Sequence, residues 1–67
     1  MQGTVKRVMP DKGFGFIRDD ASGKEFFFHR SSVEGMRAFE ELREGDAVTF
    51  ESQDSAKGPR AARVREA

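Results

Sequence analysis

Apolar residues in this chain come in short alternating runs. Phe14 and Phe16 are two apart, as are Phe26 and Phe28, Val48 and Phe50, and Ala62 and Val64. That spacing is the signature of a strand, whose successive side chains point to opposite faces. Turn residues separate the runs: Pro10-Asp11-Lys12-Gly13, Asp20-Ala21-Ser22-Gly23 and Glu44-Gly45-Asp46. In the first of these, Pro presets the opening corner and Gly accepts positive φ at the end. The pattern predicts strands over Gly3–Met9, Gly13–Asp19, Lys24–His29, Ala47–Ser52 and Arg60–Arg65, the first two joined as a hairpin. Ser31–Glu34 is short and polar and suits a single helical turn with a serine cap. Met36, Phe39 and Leu42 recur every three residues, which fits a short helix or a structured loop. Gln53–Pro59 reads as a polar loop.

Five short strands with closely spaced turns point to an all-β fold, a small antiparallel barrel or sandwich. A barrel also removes most exposed strand edges. It needs sharply bent strands and close backbone approach, which glycine tolerates. Gly13 and Gly15 on the inward face of the second strand would let it close, and that turns Phe14 and Phe16 outward.

Charge supports the outward placement. Lys12 and Arg18 share a face with Phe14 and Phe16, and cations are almost never fully buried without partners. In the third strand, Phe26 and Phe28 can go inside with Val5, Ile17, Val33, Val48 and Val64. Phe27 and His29 then lie outside. If the second and third strands are neighbours, Phe14, Phe16, Phe27 and His29 form one aromatic surface, with Lys6, Lys12, Arg18 and Arg30 near its margins.

Composition bounds what such a surface can be. The 67 residues make one domain at most, expected to span residues 1–67. A chain of that size buries only about 60% of the surface it exposes when unfolded, so its core is thin. With no Cys and a single His, disulfides and thiolate metal sites are excluded, and no metal or other cofactor is expected. No apolar run approaches a membrane span or a signal segment, so no membrane partner is expected and the cytoplasm is the expected compartment. The net charge is +0, but it is unevenly spread. Residues 1–30 carry six cations against four carboxylates, residues 31–54 two against seven, and residues 55–67 four against one. One face of such a molecule can hold a polyanion while another repels it. No catalytic constellation is found. Glu40-Glu41 reads as a solvated pair, and Gly13-Phe14-Gly15 lacks the downstream Gly, Lys and helix of a phosphate loop, so an enzyme is not expected.

Flat rings ringed by cations are what single-stranded nucleic acid requires. Bases stack on rings for about 1–3 kcal/mol each, and Lys and Arg neutralise phosphates. A duplex hides its base faces, so such a surface selects single strands. At these residues the chain resembles the cold-shock domain family. Lys12-Gly13-Phe14-Gly15-Phe16-Ile17 is similar to the first ribonucleoprotein motif, and Phe26-Phe27-Phe28-His29 to the second. Gly3-Thr4-Val5-Lys6, the run Leu42–Val48 and Lys57-Gly58-Pro59 extend the resemblance over nearly the whole chain. RNA recognition motif domains carry the two motifs in the opposite order and need two long helices, for which there is no room.

The resemblance implies a five-stranded antiparallel barrel of the OB type. It implies binding of single-stranded RNA or DNA, with an RNA chaperone or expression-regulating role. The residues it points to are Lys6, Arg7, Lys12, Phe14, Phe16, Phe27, His29, Arg30, Phe39 and Lys57. Phe39 is placed on a loop beside the platform; a core contact with Met36 and Leu42 is its other reading. The sequence departs from the family pattern at two stacking positions, where Arg7 and Arg30 replace aromatic residues. Guanidinium planes also stack on bases and add charge. The expected mode is therefore less ring stacking and more electrostatics. The same aromatic face could instead serve protein interaction or homodimerisation. A monomer or weak homodimer is expected.

Overall fold

The computed structural model describes residues 1–34, 39–55 and 58–67. Within them lie β1 (Gln2–Met9), β2 (Phe14–Asp19), β3 (Glu25–His29), β4 (Ala47–Ser55) and β5 (Gly58–Glu66). The strands close into a barrel in the order β1-β2-β3-β5-β4. Neighbours are antiparallel except β3 and β5, which meet in parallel at Phe27 and Arg60. The expected five-stranded barrel is thus found, with its antiparallel pairing at every seam but this one. The reason is topological: directions cannot alternate all the way around a closed ring with an odd number of strands, so one seam must be parallel. A bridge between Val33 and Val64 adds a further parallel contact beside that seam.

The barrel is filled by Val5, Ile17, Phe26, Phe28, Val48, Phe50, Ala61 and Val64, with Phe39 and Leu42 closing one part of it. Phe28 and Ile17 are fully buried. Gly15 makes this packing possible. A Cβ there would lie 2.5 Å from the Arg7 carbonyl oxygen and 2.9 Å from the Phe28 ring, so β1, β2 and the central phenylalanine approach too closely for any side chain. Gly13 has a different task from the one expected. It precedes β2 and takes φ +76 in the turn, where its N–H donates to the Met9 carbonyl at 2.9 Å.

Two register shifts shape the surface. Val5 pairs with Ile17 but Arg7 with Phe16, so β1 carries one extra residue and Lys6 and Arg7 are both exposed. On β5, Arg65 pairs with Thr49 and Ala62 with Glu51, so three steps match two. Arg63 absorbs the excess with φ +51. The shift breaks strict alternation: Ala61 and Val64 point inward, where alternation predicts Ala62 and Val64. Polar Gln53–Pro59 is no simple loop either. β4 runs on to Ser55 and β5 starts at Gly58, with Gln53 opposite Arg60. Backbone pairing needs only N–H and C=O groups, which polar residues carry as well as apolar ones.

The helical turn after β3 is a 3-10 turn over Arg30–Ser32, and its cap is His29 rather than a serine. Asp19 organises the turn between β2 and β3. Its carboxylate accepts from the Ser22 hydroxyl at 2.6 Å and from the Ala21 N–H at 3.3 Å. The Ser22 hydroxyl hydrogen bond, opposed by desolvation and aided by the backbone N–H groups of Ala21 and Ser22, holds the Asp19 carboxyl below its ordinary range. A depressed pKa contributes stability above the unfolded-state value, and that stability is lost as pH falls through the folded-state value. Ser22→Ala is therefore expected to lower the melting temperature at neutral pH, with the gap to the parent narrowing below pH ~4 to what the Lys24 N–H bond to the same hydroxyl contributes. Melting curves across pH check this; a gap that stays constant would detach the effect from Asp19.

Candidate nucleic-acid interface

The β2–β3 register sets the face. Phe14 lies opposite His29, Phe16 opposite Phe27, and Arg18 opposite Glu25. The intervening pairs, Gly15 with Phe28 and Ile17 with Phe26, face the core. Phe14, Phe16, Phe27 and His29 are accordingly half-buried on one outer surface. Phe14 and Phe27 ring centroids are 5.4 Å apart, Phe16 and Phe27 6.0 Å, and Phe14 and Phe16 6.3 Å. The planes are inclined by 37° to 87°. The rings therefore offer separate facets, each sized for one base, instead of a continuous flat sheet.

His29 stands at one end. Its Nδ1 accepts from the Ser31 backbone N–H at 3.2 Å and lies 3.0 Å from the Ser31 hydroxyl. In the neutral ring this places the proton on Nε2, which then acts as a donor. Arg30 is tied to the same end, because its backbone N–H donates to the Gly13 carbonyl at 2.9 Å. Its stem runs over Gly13: a Cβ on that glycine would lie 3.2 Å from the Arg30 Cδ. Lys12 is exposed in the adjoining turn.

Across the strands, one row contains Arg7 on β1, Phe16 on β2, Phe27 on β3 and Arg60 on β5. Among the described residues, no carboxylate pairs with Arg7, Lys12, Arg30 or Arg60. Two cations of β5 are engaged instead: Arg63 with Glu51 at 3.8 Å and Arg65 with Glu34 at 3.1 Å. Lys6 is brought to the rim but bonds to Glu25. An exposed pair of this kind is worth at most about 1 kcal/mol, so a phosphate can compete for it. Lys6, Arg7, Phe16, Glu25 and Glu44 line a groove of about 470 Å³ beside the rings.

Not every predicted residue joins the face. Phe39 is 4% exposed and packs against Phe28 with centroids 5.8 Å apart. Its assignment to the aromatic surface is corrected: the 3-10 turn Phe39–Glu41 swings the ring into the core, beside Leu42. Lys57 lies outside the described residues. Arg60 belongs to the row but escapes a sequence reading, because the β3–β5 seam joins residues far apart in the chain. No helix among the described residues is long and apolar enough to cross a membrane.

Comparison with known proteins agrees with this geometry. A model of the 'Cold-shock' DNA-binding domain matches residues 1–67. The Cold shock-like protein of Thermotoga maritima is 46% identical, over 97% of this chain and 96% of its own. Cold shock protein ScoF of Streptomyces coelicolor is 44% identical, over 92% and 91%. Cold shock-like protein CspC of Escherichia coli K12 is also 44% identical, over 96% and 91%. Among solved structures, drosophila Unr CSD456 superposes with a TM-score of 0.77 at 28% identity, over 98% of this chain and 26% of that one.

Proposed function

The chain belongs to the cold-shock domain family, whose members bind nucleic acid, and from that premise we propose that it captures single-stranded RNA or DNA on the outer face of β2 and β3. The observation that carries the reading is the cluster of Phe14, Phe16, Phe27 and His29 on one surface, rimmed by Arg7, Lys12 and Arg30 without carboxylate partners among the described residues.

Binding alone performs the work; no hydrolysis is involved. An unpaired base leaves its neighbours and stacks on a ring facet, while cations neutralise the phosphates. A ligand that binds only the open form of a hairpin stabilises it by about 2.7 kcal/mol at a hundredfold excess over Kd. That offsets roughly two base-pair steps at about 1.4 kcal/mol each. Weak secondary structure melts and strong duplexes survive, which is the behaviour of an RNA chaperone and of a regulator that acts by exposing or hiding a segment of transcript. The site of action is the cytoplasm.

A homodimer through the same face is disfavoured by its charge. A two-fold interface sets each patch against its own copy, so the positive rim of Arg7, Lys12 and Arg30 faces another positive rim, offset only in part by Glu25 and Glu44 beside Arg7. The protein acts as a monomer or a weak homodimer.

The test is a salt series with a fluorescent oligothymidine and the same length of duplex. The single strand is expected to bind and the duplex not. Each phosphate neutralised contributes about −0.7 to the slope of log K against log salt, so three free cations give roughly −2. Equal binding of the duplex, or no binding at low salt, would sink the reading.

A further inference from the structure

We propose that Arg60 reads the base stacked on Phe27 and selects guanine at that position. The inference rests on the reading of the β2–β3 face as a single-strand platform, and it adds base selection to it. Arg60 and Phe27 are the paired residues of the β3–β5 seam. Adjacent strands run about 4.8 Å apart. The next residue on β5, Ala61, is fully buried, so Arg60 points outward, to the side on which Phe27 lies. It is half-buried, and no carboxylate among the described residues pairs with it. The other arginines of β5 are different: Arg63 and Arg65 are each engaged by a glutamate.

The rings decide where a base on Phe27 presents its edge. Phe14 and Phe16 wall Phe27 on the β2 side, at 5.4 and 6.0 Å. A base lying on Phe27 therefore extends toward β5, where Arg60 stands. A guanidinium offers only donors, in a rigid fork. Guanine presents two adjacent acceptors, O6 and N7. Thymine and uracil present a lone O4, adenine pairs an acceptor with a donor, and cytosine presents a donor. In a single strand the Watson–Crick edge is free as well, and there cytosine offers two adjacent acceptors, O2 and N3, so it is the base that guanine must be compared with. On the O6/N7 edge guanine comes first, thymine or uracil second and adenine last; cytosine competes only where it turns its O2/N3 edge to Arg60. A phosphate contact by the same arginine would be indifferent to sequence.

The experiment uses oligothymidines of about seven nucleotides, within the ~4–16 range for OB folds, carrying one dG, one dC or one dA at each position in turn. The parent, Arg60→Ala, Arg60→Lys and Phe27→Ala are compared over a salt series. At one position, dG is expected to bind the parent about tenfold tighter than dT. Arg60→Ala removes that preference. Arg60→Lys keeps the salt slope and loses most of the preference, because an ammonium cannot make the paired contact. The proposal is overturned if the parent shows no dG preference, or if the preference survives in Arg60→Ala. It is also overturned if Arg60→Ala weakens every oligonucleotide equally and shallows the slope by about 0.7, the mark of a phosphate contact. If Phe27→Ala leaves all binding intact, the platform reading fails first, and the inference with it.

Discussion

Replacing Phe27 with alanine is expected to weaken binding of oligothymidine by about 1–3 kcal/mol, or roughly 5- to 150-fold. Phe27 is the hub of the face, within 6.0 Å of both Phe14 and Phe16 by ring centroid. Its loss removes one facet and the wall that orients the other two. The fold survives the change, because the ring is half-buried on the outside of the barrel. Cross-strand pairs are worth about 0.2–1 kcal/mol each, so losing the contacts to Phe16 and Phe14 costs at most about 2 kcal/mol of stability. Measured well below the melting temperature, the protein stays folded and the fall in affinity reports the interface. Phe27→Leu separates stacking from burial. Leucine restores apolar area but has no π-face, so affinity is expected to stay low while the melting temperature recovers. Leucine restoring full affinity would mean that bases are held by apolar contact alone.

Much of this face follows from local pattern. Alternation along Phe26-Phe27-Phe28-His29 divides the four residues between core and surface, and the structure divides them the same way. The turn at Pro10–Gly13 folds β2 back on β1, and that brings Arg7 opposite Phe16. What local pattern misses is long-range or irregular. The extra residue in β1 leaves no sequence mark, yet it exposes Lys6 and Arg7 together. Arg63 adopts φ +51 without being glycine or asparagine, and its bulge exchanges Ala62 for Ala61 in the core. Phe39 spaced three residues from Leu42 is equally a loop platform or a core contact until the barrel end is built, and the barrel end buries it. Parallel pairing of β3 with β5 is an outcome of ring closure, invisible in either strand, and it alone makes Arg60 a neighbour of Phe27.

On the function proposed above, the arginines alter the character of the interface more than its location. A guanidinium beside a ring can stack, donate to a base edge or neutralise a phosphate. Arg30, anchored on Gly13, and Arg7, anchored opposite Phe16, bracket the rings from two sides. Affinity that leans on such charges weakens as salt rises, whereas stacking energy changes little.

Phe28→Ala is expected to do the opposite of Phe27→Ala one residue earlier on the same strand. Phe28 is 0% exposed, packs against Phe39, and fills the space that Gly15 leaves between β1 and β2. Truncating a buried Phe costs about 3–5 kcal/mol, from lost transfer energy and from the cavity left behind. At about 0.05–0.15 kcal/mol per residue, the whole domain of 67 residues holds roughly 3–10 kcal/mol. The loss is thus comparable with the total. A 1 kcal/mol loss lowers the melting temperature of a domain this small by about 4–8 °C, so a drop of more than about 12 °C is expected. Single-strand binding should fail with the fold and return only where the variant is still folded at low temperature. Thermal melts followed by circular dichroism, paired with binding at low temperature, distinguish the two phenylalanines. A Phe28→Ala variant that melts with the parent would mean that the barrel core is not where the structure places it. The face that Gly15 and Phe28 hold in register would then lose its physical basis.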